Sequence, residues 1–313
     1  YGNTLTMNFE ENHSLQASLN LDTRALSTAT ALYYVAYIIF DLPMNLVMTK
    51  LSPQVWLCRI VMSVGLCYIC YAALHNASGL EAIRFMTGFA ESGTWPGLTY
   101  YISLWYPEER TARRIGYYFT AAQLSAAAAG LVAAGFQKMD MVRGFYGWKW
   151  LYIVYGSIVI ACGISLIWWL PDRPAHLLGK ETKSHSILPE SIHKFFTTTQ
   201  PLSSEERKLH AIDMGERYKK VEWGVIDLLR VVSDIRTWAL IVMYFGVVGT
   251  GYGLAVFATT LIKVNNPKLS GIDVSLLYAP IWLFDLAAIL LVTPFADKFK
   301  AQRYIFFSCA CLV

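Results

Sequence analysis

Charge is what this sequence has least of. Asp, Glu, Lys and Arg make up 15% of its 313 residues, where a soluble globule carries about 25%. Cysteine is sparse too. The six thiols are Cys58, Cys67, Cys70, Cys162, Cys309 and Cys311, all in or beside apolar runs. None lies in a loop that could hold a disulfide framework. Cys67-x-x-Cys70 has metal or redox spacing, but its setting reads as small packing residues in a helix. No cluster of metal ligands and no nucleophile triad is visible, so an enzyme has little to stand on, and no cofactor is expected. No signal peptide is visible, and because the chain starts at Tyr1 rather than Met we expect the true N-terminus to be missing. The net charge of +4 is spread by side rather than gathered in a patch, which excludes nucleic acid as a partner.

What is abundant is apolar length. Hydrophobic residues are 55% of the chain and come in blocks. About 20 mainly apolar residues cross about 30 Å of hydrocarbon. The blocks predict spans near 26–48, 57–74, 80–105, 114–136, 150–170, 238–262 and 274–296, with an eighth starting at Tyr304. The fold class is therefore an all-α integral membrane protein, with the bilayer as its first partner. Residues 1–25 form a polar loop, 26–170 a first helical bundle with five spans, 171–237 a long linker, and 238–313 the start of a second bundle. We read the sequence as a fragment that lacks a first span and the last spans. Two six-helix bundles are a common plan for secondary transporters.

Basic residues set the sidedness. Lys50, Arg59, Arg110, Arg113, Arg114, Lys298, Lys300 and Arg303 fall on one side with the 171–237 linker. Arg24, Lys138, Arg143, Lys149, Lys263 and Lys268 fall on the other. The bias puts residues 1–25 outside and the linker in the cytosol. The sequons at Asn12 and Asn76 then both lie outside. In the linker, Ser203-x-x-Glu206 is a capping box opening a helix. Val225, Leu228, Leu229 and Val232 follow helical spacing, with Asp227, Arg230 and Asp234 opposite. That pattern predicts an amphipathic helix lying on the membrane surface.

RFMTGFAESGTWPG, residues 84–97, carries the chemistry. Arg84 and Glu91 stand seven apart inside an apolar span, on one helix face and about 10 Å apart along the axis. A charge at the centre of a span costs roughly 2.5–3.5 kcal/mol and normally faces the bundle interior or a wet cavity. An arginine for an anion and a carboxyl for a proton make a coupling pair. Gly88, Gly93 and Gly97 allow close helix packing, and Pro96 interrupts the helix. Trp95, four after Glu91, falls on the same face. Asp285, in YAPIWLFDLAAILL, is a second candidate for proton coupling or substrate. Asp41 and Asn45, in YIIFDLPMNL, read as gating residues at the cytosolic end, with Arg113 and Arg114 as ion-pair partners. Asp297 belongs to the same cytosolic set. SAAAAGLVAAG (125–135) and GVVGTGYG (246–253) read as close helix packing.

Four stretches carry a family likeness: RFMTGFAESGTWPG; SLWYPEERTARRIGYYF (103–119); YGWKWLYIVYG (146–156), whose span closes with LPDRP; and PFADKFKAQR (294–303). Gly2-Asn3 adds to them. The chain resembles the major facilitator superfamily, and within it the fungal allantoate permease-like anion:cation symporters. The resemblance implies twelve spans, alternating access and proton-coupled uptake of a small organic anion at the plasma membrane by a monomer. Nicotinate, pantothenate, biotin and allantoate are the cargoes it implies, or a sulfur compound such as cysteine or a sulfonate. It gives proton coupling to Glu91 and the associated arginine role to Arg84. The sequence departs from the family at Asp41-Leu42-Pro43-Met44-Asn45, where Glu-x-Pro-Ser-Asn is usual, and at Lys149 and Tyr155, where Arg and Glu are common. A sensor with a transporter fold, signalling through 171–237 without flux, is the rival of another class.

Overall fold

The computed structural model describes residues 4–5, 7–8, 12–172, 174, 203–214 and 225–299. The KETKSH stretch, the expected eighth span and Gly2-Asn3 lie outside the described residues. Every regular element described is helical. In order they are α1 (Leu15–Ser18), α2 (Thr23–Lys50), α3 (Pro53–Tyr71), α4 (Ala77–Glu91), α5 (Thr94–Trp105), α6 (Glu108–Gln137), a 3₁₀ turn (Val142–Gly144), α7 (Gly147–Trp169), α8 (Ser204–Met214), α9 (Val225–Ser233), α10 (Ile235–Asn265) and α11 (Gly271–Phe299). Five described helices, in α2, α3, α6, α7 and α11, are long and apolar enough to cross a membrane. Their outward faces are apolar: Ile38 is 72% exposed and Trp169 80%. In water those faces would be a liability; in lipid they are the solvated side.

The helices start where short polar side chains satisfy free N–H groups. Asp22 caps α2 through the Thr23 N–H, and Asn76 caps α4 through the Gly79 N–H at 2.8 Å. Ser52 caps α3, with Pro53 in the first turn, where a missing N–H is harmless. The expected capping box is present: Glu206 accepts from the Ser203 N–H at 2.8 Å, and Ser203 Oγ accepts from the Glu206 N–H. The amphipathic helix forms as α9, with Ile226, Val231 and Val232 exposed.

The chain divides into two compact units. One comprises Met7–Ile115 and Gly135–Gly215; the other comprises Tyr1–Thr6, Gly116–Ala134 and Glu216–Val313. The middle of α6 thus clusters with α10 and α11. The reason lies in SAAAAGLVAAG: a Cβ on Gly130 would come within 2.6 Å of the Ser275 carbonyl oxygen, and Ala127, Ala133 and Ala134 are buried. Close packing was expected of GVVGTGYG too; among the described residues a Cβ at Gly246, Gly249, Gly251 or Gly253 meets nothing within 4 Å.

In the first unit α3 and α7 cross closely, with the Gly156 carbon face against the Gly65 carbonyl. At one end of this unit Met48, Leu57 and Ile60 form a buried core with Trp56, Leu98 and Tyr101 around it. There the LPDRP segment is clamped: Ser52 donates to Asp172 at 2.8 Å, and Tyr101 donates to the Pro171 carbonyl at 2.7 Å.

The opposite end holds a finding that the polar character of residues 1–25 hid. The described part of this segment is folded onto the 138–148 turn, with Met7, Leu15, Leu19 and Leu21 buried. Asn8 donates to the Gln137 carbonyl at 3.2 Å, and Trp148 Nε1 donates to Ser18 Oγ at 3.2 Å. His13 Nδ1 contacts Asp140 Oδ2, and Asp140 Oδ1 accepts from the Gly147 N–H at 2.7 Å. Burial alone would raise the Asp140 carboxyl; the Gly147 N–H, His13 and Asn8 outweigh it and hold the group below the ordinary aspartate range. A carboxyl held low contributes stability that is fully present above its unfolded pKa, about 3.9, and is lost as the pH falls through the folded value. Proteolysis of the 7–21 segment is therefore expected to be constant from neutral pH down to about 5 and to rise only below about 4. Asp140→Ala is expected to be cut readily at every pH, losing about 1–2 kcal/mol of capping.

Candidate functional site

The span expected over 80–105 is two helices. α4 ends at Glu91, Gly93 takes φ +80°, and α5 starts at Thr94. Left-handed backbone of this kind is glycine's territory. The break falls three residues before Pro96, which sits in the first turn of α5, where its missing N–H matters little. The expected interruption by Pro96 is thus corrected to a break at Ser92-Gly93. The placing of Trp95 on the face of Glu91 is corrected with it, because helical spacing does not carry across a left-handed residue.

Within α4, Arg84 and Glu91 keep their shared face. Arg84 is buried, 8% exposed. Its guanidinium carbon is 5.7 Å from the Tyr33 ring and 5.8 Å from the Tyr71 ring. Tyr71 stacks on Tyr152 at 4.6 Å, and Tyr68 meets Tyr155 at 6.0 Å. Glu91 Oε2 accepts a hydrogen bond from the Tyr33 hydroxyl at 2.8 Å. Tyr33, on α2, is held at this depth by a close crossing: a Cβ on Gly88 would come within 2.2 Å of the Tyr33 carbonyl oxygen. No sequence signal pointed to Tyr33, which lies 58 residues away from its partner.

Asp41 and Asn45 also reach the break. Asp41 Oδ1 accepts from the Gly93 N–H at 2.8 Å, and Asn45 Nδ2 donates to the Asp41 carbonyl at 2.8 Å. Sequence reasoning did not foresee this backbone partner for Asp41. Its carboxylate sits at the N-terminus of α5, on a backbone donor that α5 itself cannot satisfy. Arg114 lies over the Tyr106 ring at 3.8 Å. Arg113 and Asp297 lie in helical backbone, with side chains outside the described set. Gly97 faces the Met48 sulfur, 2.9 Å from where a Cβ would be. Asp285 is half-buried on α11, in the other unit.

A helical membrane protein with a buried cation and a hydrogen-bonded carboxyl on one broken span has the layout of a carrier. The chain belongs to the Major Facilitator Superfamily, whose profile matches residues 1–313, a family of transporters and not enzymes. Among its relatives, Vitamin H transporter 1 of the fission yeast Schizosaccharomyces pombe is 42% identical over 320 residues, covering 99% of this chain and 56% of the relative. An uncharacterised transporter of the same yeast is 40% identical over 315 residues, covering 99% of this chain and 50% of the relative. The chain thus spans about half the length of these curated relatives.

Proposed function

We propose that this chain forms part of a proton-coupled symporter of the allantoate permease-like kind, importing a small carboxylate nutrient at the plasma membrane by alternating access. The observation that carries the reading is the arrangement at the break: one buried arginine and one carboxyl share a helix face and are lined by tyrosines. The arginine attracts the anion, Glu91 takes the proton, and the two are released together on the cytosolic side. Asp285 is a second proton candidate from the other unit. Asp41 and Asn45 govern the joint of the 80–105 span, with Arg113, Arg114 and Asp297 at the cytosolic gate. The carrier works as a monomer.

The 42% identity to a vitamin H transporter makes biotin, a ring-bearing monocarboxylate, the first cargo to test. Nicotinate, pantothenate, allantoate and cysteine complete the panel. The full open reading frame containing this chain is expressed in transporter-deficient yeast. Uptake of each labelled compound is measured at pH 5 and pH 7.5, with and without a protonophore. Acid-stimulated, protonophore-sensitive accumulation of one carboxylate is the expected result. No accumulation of any compound, with the protein confirmed at the surface, would overturn the symport reading and favour a sensor.

A further inference from the structure

Arg84 and Glu91 lie about 10 Å apart along their helix. Tyr33 reaches both. Tyr33 gives its hydroxyl to Glu91 Oε2 at 2.8 Å and presents its ring 5.7 Å from the Arg84 guanidinium carbon. Among the described residues, the Tyr33 hydroxyl is the one side-chain donor to the Glu91 carboxylate. The other titratable groups near that carboxylate are Tyr34 of α2, Cys67 and Tyr68 of α3, and Arg84 of α4 itself.

We propose that Tyr33 is the positioning residue that links anion binding to proton binding. This rests on the symport reading of the site. A neutral phenol donating to a carboxylate stabilises the ionised form. With the bond made, Glu91 stays ready to accept a proton. When a proton arrives from solvent on Glu91, the carboxyl becomes neutral and the bond weakens. Tyr33 keeps its own proton throughout. Its freed ring can then shift against Arg84, so the state of Glu91 is felt where the anion binds. The Gly88 crossing packs the Tyr33 backbone closely against α4, so the response is assigned to the side chain.

The test is Tyr33→Phe in the full open reading frame, with uptake of the cargo found above measured from pH 4 to pH 8. A hydrogen bond to a charged group corresponds to about one pH unit. The pH of half-maximal uptake is expected to move about one unit toward alkaline. The maximal rate is expected to fall, because the proton is released more slowly inside, while exchange of labelled for unlabelled cargo persists. A uniform fall in uptake with an unchanged midpoint would overturn the proposal and leave Tyr33 as packing. If Tyr33→Phe does not reach the surface, 3-fluorotyrosine at position 33 decides. It keeps the shape and makes a stronger donor, so the midpoint is expected to move toward acid, and an unmoved midpoint overturns the proposal. Glu91→Gln run in parallel separates the two levels. If it retains proton-driven accumulation, the symport reading itself falls. If it loses accumulation while Tyr33→Phe keeps the wild-type midpoint, only the role of Tyr33 falls.

Discussion

Glu91→Gln is expected to abolish concentrative uptake and leave exchange. Glutamine keeps the size of the side chain and an acceptor for the Tyr33 hydroxyl, so the joint between α2 and α4 survives. What it removes is the ability to carry a proton. With one proton per monovalent anion the cycle is electroneutral and draws only on the pH gradient. Two pH units supply about 2.7 kcal/mol, enough for about hundredfold accumulation. The mutant is expected to equilibrate at about one, a loss of about a hundredfold, and to become insensitive to protonophore. Exchange needs no net proton movement and is expected to persist. Equal loss of accumulation and exchange would assign Glu91 to the framework instead.

The second large effect is structural. Gly88→Ala places a methyl 2.2 Å from the Tyr33 carbonyl oxygen and 3.2 Å from the Ala36 Cβ. The first neighbour is backbone in the middle of a 28-residue helix, so it cannot swing aside. Overpacking costs roughly 1–3 kcal/mol where neighbours can adjust, and the upper end applies to a rigid one. Separating α2 from α4 also pulls Tyr33 from Glu91. A fall in melting temperature of roughly 6–12 °C is expected for the detergent-purified protein. Gly135→Ala is the matched control. Nothing lies within 4 Å of its added methyl, and alanine favours helix by up to about 1 kcal/mol. It is expected to leave the melting temperature unchanged or slightly raised. Equal effects at the two sites would show that the close crossing does not hold the bundle.

Much of the fold was legible because lipid imposes a simple rule: long apolar blocks become helices. α7 and α11 fall within a few residues of their expected ranges. Local capping was legible too, since Ser203 and Glu206 act across three residues. The break in the 80–105 span was written in Ser92-Gly93 followed by Pro96, a helix stop and then a helix start. It was overridden by the unbroken apolar character of 80–105. Arg84 and Glu91 stood out because charge in such a run is costly. Their surroundings did not. Tyr33, Tyr71 and Tyr152 are ordinary residues in apolar helices, and only the packing of α2, α3 and α7 brings them to one place. Asp41 was read as an ion-pair residue because a cytosolic loop offered arginines, whereas the backbone donor it meets exists only once the helix breaks. The packing of the described residues of the 7–22 segment was hidden for a related reason. Asn8, His13 and Ser18 find partners in a turn more than a hundred residues away.

That contact between the first segment and the 138–148 turn has a topological consequence. His13 touches Asp140, and Asn8 touches Gln137, so both segments lie on one side of the bilayer. The chain between them must cross an even number of times. α2, α3 and α6 are continuous rods and account for three crossings. The fourth has to be α4 and α5 taken together, since counting them as two or as none leaves an odd total. Their 15 and 12 residues measure about 22 Å and 18 Å. Neither rod alone reaches across about 30 Å of hydrocarbon, and end to end they do. A count that admits only unbroken helices would drop this crossing and turn every later loop inside out.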